Sequence, residues 1–96
     1  MTMYFFVIEV FPAPNSEAAK KYGGGHASCW INSADRKNAQ DKATALVTSA
    51  GWVPLKIIEE KEVSAESYGA DEPGLEHFAQ AITDDEVCVF YTYPKS

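Results

Sequence analysis

Apolar side chains recur along this chain at two spacings, and the switches between them give an order of elements. From Tyr4 to Phe11 both alternating sets are apolar. Tyr4, Phe6, Ile8 and Val10 form one, and Phe5, Val7 and Phe11 the other, with only Glu9 out of place. A strand apolar on both sides belongs in the centre of a sheet, covered twice, and Pro12 and Pro14 end it. His26 to Asn32 alternates more sharply: Ala27, Cys29 and Ile31 point one way, His26, Ser28, Trp30 and Asn32 the other. Val53 to Val63 begins as an alternating strand and turns polar at Glu59. Val87 to Tyr93 sets Val87, Val89, Tyr91 and Tyr93 against Cys88, Phe90 and Thr92.

Between these runs the spacing becomes helical. Ala39, Ala43, Leu46 and Ala50 fall at i, i+4, i+7 and i+11, one face of a helix. Ser33 or Asp35 can cap its start, and Gly51 stands where a left-handed residue ends it. The stripe, which Val47 widens, is mostly alanine, so the helix can approach a sheet closely while burying little apolar area itself. Leu75, Phe78, Ala79 and Ile82 predict a second helix that ends near Thr83, because Asp84, Asp85 and Glu86 are ill suited to a helix C-terminus. His77 lies off that stripe and reads as a surface histidine. Asn15 to Tyr22 fits either two helical turns or an ordered loop. Gly23 to Gly25 reads as a turn or hinge: the next segment is extended, and a phosphate loop needs a helix there. Ser64 to Gly74 reads as a loop.

The pattern predicts one α+β domain over residues 1–96, a two-layer sandwich with a four-stranded sheet and both main helices on one face. The ββαβαβ order is similar to that of ferredoxin-like folds, as a variant whose first helical slot holds only Asn15 to Tyr22. That likeness is architectural and carries no function. With both helices on one side, some of Phe5, Val7, Phe11, Trp30, Ile58 and Phe90 is left on the other. Such a patch exceeds what monomers usually expose. A second copy related by twofold symmetry is the expected cover.

Composition narrows the partners. Apolar residues make up 46% and charged residues 23% of the chain, which argues for a folded domain and against disorder. The net charge of −6 is uneven: residues 1–50 carry five basic and four acidic side chains, residues 51–96 three and ten. Nucleic acid binding needs clustered Lys and Arg and is not expected; a basic protein partner is compatible with the acidic second half. No apolar run approaches the roughly 18–20 residues of a membrane span. The apolar N-terminus lacks a basic flank and is broken by Glu9, so it reads as a first strand of a cytoplasmic protein. Cys29 and Cys88 are then expected to be reduced, small buried residues, neighbours in the sheet if their strands pair.

No cofactor is expected, and no metal: His26 and Cys29, three apart on a strand, face opposite sides. Glu59, Glu60 and Glu62 have no apolar surroundings to raise a carboxylate pKa and read as a solvated strand end. The leading expectation is a small acidic, non-enzymatic interaction module that self-associates through its open sheet face, with Phe5, Trp30, Tyr68, Phe90 and Tyr91 as the binding residues. A second reading is a small dimeric enzyme or small-molecule-binding protein. Its pocket would lie near His26 and Trp30, with His26 as proton carrier and Tyr68 and Tyr91 as walls. A third is an acidic immunity-type protein that neutralises a basic partner.

Overall fold

The doubly apolar first strand, β1 (Thr2–Pro12), runs through the interior of a four-stranded sheet. A computed structural model describes residues 1–69 and 72–94. Its remaining strands are β2 (Tyr22–Ser33), β3 (Trp52–Val63) and β4 (Glu86–Pro94). Their order across the sheet is β3-β1-β2-β4, and every neighbouring pair is antiparallel. Three helices connect them: α1 (Glu17–Lys21), α2 (Arg36–Ser49) and α3 (Pro73–Asp84). The architecture is α+β, as the sequence pattern predicts.

The first sheet face carries Tyr4, Phe6, Ile8 and Val10 of β1 with Ala27, Cys29 and Ile31 of β2, all buried. Against them α2 packs Ala39, Ala43 and Val47, each fully buried. The alanine stripe is therefore real, but it leans toward Val47; Leu46 is only partly buried and Ala50 is exposed. Asp35 is the cap, its carboxylate accepting the Asn38 backbone N–H at 2.8 Å. Gly51 takes the left-handed conformation at φ 90°, which only glycine adopts without strain. Trp52 then enters β3 buried, its ring stacked on Phe90 at 5.7 Å and Tyr22 at 6.0 Å.

Two local expectations change. Asn15 to Tyr22 resolves in favour of a helix at Glu17–Lys21, with the Ser16 hydroxyl accepting the Ala19 N–H at 3.1 Å. Gly23 to Gly25 form no turn or hinge; they lie inside β2. Their lack of a side chain serves close packing. A Cβ on Gly24 would lie 2.6 Å from the Tyr93 hydroxyl, and one on Gly25 would lie 2.5 Å from the Tyr91 carbonyl oxygen. Of the expected loop at 64–74, Ala65–Ser67 is a 3-10 turn, and residues 70 and 71 lie outside the described residues.

The larger correction concerns layers. The two main helices do not share a face: α3 packs Phe78 and Ala81 against Met3, Trp30, Val63 and Val87, all on the face opposite α2. The right-handed crossover rule ties a helix to one side only between parallel strands. It applies to α2, which joins the parallel pair β2 and β3 on either side of β1. It does not apply to α3, because β3 and β4 are antiparallel and sit at opposite edges. The apolar second face of β1 decides instead.

The alanine stripe sets how near α2 comes to the sheet. Ala43→Leu is expected to cost about 1–3 kcal/mol by overpacking, measured as a lower urea midpoint with an unchanged slope.

Candidate functional site

Directly paired residues in a sheet share a face, so the registers of the four strands resolve the second face into rows. At the α3 end Val63, Met3 and Asn32 form the first row, then come Lys61, Phe5, Trp30 and Val87, followed by Glu59, Val7, Ser28 and Val89. Next comes Lys56, Glu9, His26 and Tyr91. The last has Phe11 paired with Val53 on β3, and Gly24 paired with Tyr93 on β4. The first three rows are sheltered by α3 and the turn before it. The last two are open.

Trp30 organises the sheltered half. It is 4% exposed, and its indole N–H donates to the Tyr68 hydroxyl at 2.8 Å, which gives a buried donor the partner it needs. Phe5 lies at 4.8 Å on one side of its ring and His77 at 5.0 Å on another, while Tyr68 reaches Phe78 at 6.1 Å. A close approach makes this possible: a Cβ on Gly74 would lie 2.6 Å from the Tyr68 ring, and Ala81 one helical face further on is fully buried. Lys61 covers Phe5 from the β3 side, its ammonium 5.6 Å from the ring centre. A hydrogen bond from Lys61 to the Glu59 carboxylate, 3.0 Å away, holds that ammonium above its ordinary pKa.

Of the residues singled out from sequence, Phe5, Trp30 and Tyr68 therefore meet in one cluster. His26 and Tyr91 pair with each other on the open half, both exposed. Phe90 belongs to neither group: it lies on the first face beneath Trp52. His26 and Trp30 share a face with the row of Ser28 between them, one exposed and the other buried. The clefts at the α2–β3 seam (Ile8, Gln40, Thr44, Pro54) and beside Arg36 and Glu60 include neither. Among the described residues every buried side-chain nitrogen and oxygen has a hydrogen-bond partner, so the described interior presents no polar group waiting for a ligand.

Sequence reasoning missed His77, which turns inward onto Trp30, and it named Phe11 among the surplus apolar residues without joining it to Val53 and Tyr93. The predicted α3 stripe was displaced by about one position: Gly74, His77, Phe78 and Ala81 face the sheet, while Ala79 and Ile82 face out. Gly74 and Ala81, seven residues apart, were the available signal, since two small residues at that spacing mark a face of close approach. In β3, bulges leave Leu55 and Ile58 without opposite partners, and both are about half exposed. In comparisons with known proteins, no family model, no curated protein and no solved structure matches this chain.

Removing the Tyr68 hydroxyl leaves the Trp30 N–H buried and unpaired. Tyr68→Phe is expected to lose about 1–3 kcal/mol of stability, read from urea unfolding; a change within error would mean that water or another group takes the indole proton.

Proposed function

We propose that this chain is a small acidic, non-enzymatic interaction module of the cytoplasm that self-associates through the open half of its second sheet face. The observation that carries this reading is a cluster of exposed apolar side chains there, at and beyond the row that holds Lys56, Glu9 and His26. Phe11, Tyr91 and Tyr93 are 53%, 55% and 49% exposed, on a central strand and an edge strand, with half-exposed Val53 completing the row on the other edge. Exposed aromatic clusters of this kind mark interaction sites.

A second copy is the occupant that the geometry favours. A helix of 12 residues is about 18 Å long, and strands of 9–12 residues span roughly 30–40 Å. One α3 can shelter only about half of the face it lies on. A twofold axis perpendicular to the strands lays the α3 of each copy over the open half of the other. Ile82, 54% exposed on the outer side of α3, then meets the aromatic rows around Tyr91 and Tyr93. Both open halves are closed by the same contact, as an isologous interface requires. In its order of elements the chain can be taken as a ferredoxin-like variant, with its second helix on the far side of the sheet.

The pocket reading draws no support from His26 and Trp30, which lie two rows apart, one exposed and the other buried. The immunity-type reading is weakened by where the acids lie. Glu59, Glu60 and Glu62 are on edge strand β3, while Asp84, Asp85 and Glu86 are at the start of β4 on the opposite edge. Glu59 and Glu60 also pair with Lys61 and Arg36.

Sedimentation from one to a hundred micromolar is expected to give a concentration-dependent dimer. Tyr91→Glu and Ile82→Glu, both at exposed positions, should each weaken it tenfold or more without changing the circular dichroism spectrum. A strict monomer at every concentration would overturn the proposal, and so would association indifferent to both substitutions.

A further inference from the structure

On the first face, away from these aromatic rows, Cys29 of β2 stands directly opposite Cys88 of β4, with 2.9 Å between the two sulfurs. Directly paired antiparallel residues have Cα atoms roughly 4.5–5.5 Å apart, inside the window that a disulfide spans. The sulfurs are within about 1 Å of bonding distance, so closure needs only small side-chain rotations. The two positions are unequal. Cys29 is fully buried beneath α2, and Cys88 is partly exposed on an edge strand.

We propose that Cys29 and Cys88 form a redox-active dithiol, oxidised by a low-molecular-weight disulfide to an intramolecular bond that staples edge strand β4 to β2. Cys88 is the attacking sulfur, since it is the one that reagents reach. The hydrogen bond from the Cys29 thiol lowers the pKa of Cys88, against the opposing effects of burial and the Glu86 carboxylate. The same hydrogen bond and burial push the Cys29 thiol up, so it stays protonated until the second step. A thiolate is the competent nucleophile in such exchange.

The Cys88 thiolate attacks one sulfur of the small disulfide, forms a mixed disulfide and releases one small thiolate. The Cys29 sulfur then attacks the Cys88 sulfur and breaks the mixed bond. The second small thiolate leaves with the proton from Cys29. Two protein thiols have been oxidised to one disulfide, and the small disulfide has been reduced to two thiols.

The consequence lies in β4, in which no residue is fully buried and the last four are exposed. A bond between residues 59 apart in sequence closes a long loop, and the unfolded chain loses the corresponding freedom. The oxidised form is expected to melt roughly 10–20 °C higher than the reduced form.

The test is to equilibrate the full chain with oxidised glutathione, trap the remaining thiols by alkylation, and map the tryptic peptides. The expected product is a single chain on a non-reducing denaturing gel, in which the peptide of residues 22–36 is linked to that of residues 62–95, with the higher melting temperature reversed by dithiothreitol. Cys88→Ala, at a partly exposed position, should show no glutathione-dependent rise. Two alkylated cysteines after equilibration, a glutathione adduct that persists on Cys88, or disulfide-linked dimers would each overturn the proposal. The wild-type peptide map decides the matter even if a cysteine variant fails to fold.

Discussion

The structure depends on one constraint: β1 is apolar on both sides and must be covered twice. Phe6, Ile8 and Val10 on one face are all but inaccessible, and Met3 on the other is nearly so. A chain of 96 residues has little material for the task. It uses its longest helix, with an alanine stripe, for the first face. The second face receives the shorter α3, brought close by Gly74 and Ala81, plus two substitutes: the Tyr68 turn and the Lys61 side chain over Phe5. These reach three of the five rows. The uncovered remainder is where the interaction surface lies.

The same constraint separates the legible features from the illegible ones. Alternation along a strand is a local signal, so the two sets of β1, the two sets of β2 and the split of β4 were readable and correct. So was the stop at Gly51, and of the two caps that the sequence offers, Ser33 and Asp35, the helix uses Asp35. The placement of α3 was not readable, because it depends on strand order, and β3 and β4 become opposite edges only once the sheet assembles. The surplus of apolar residues was counted correctly but assigned to a single open face. In fact α3 absorbs Trp30 and much of Phe5, and Phe90 belongs beneath Trp52.

The candidate residues divide along the same line. Trp30, Tyr68 and Phe5 form a real cluster, yet its role is to hold α3 down, since the indole proton is taken by Tyr68 and the ring faces by Phe5 and His77. The exposed chemistry lies nearer the open end, at His26 and Tyr91 beside the partly buried Glu9, with Phe11 and Tyr93 beyond. Glycines that looked like a hinge are instead the floor under Tyr93 and the Tyr91 backbone. The cysteines, read as reduced small residues that are neighbours only if their strands pair, are cross-strand partners in the β2–β4 register.

The central claim is that the two main helices cover opposite faces of one sheet, leaving half of the second face open. Nuclear Overhauser contacts from Trp30 in dilute solution test it most directly. The indole ring is expected to show contacts to His77 and Tyr68, with none between the methyls of Ala81 on α3 and Ala43 on α2. Contacts between those two methyls would put both helices on one face and contradict the account.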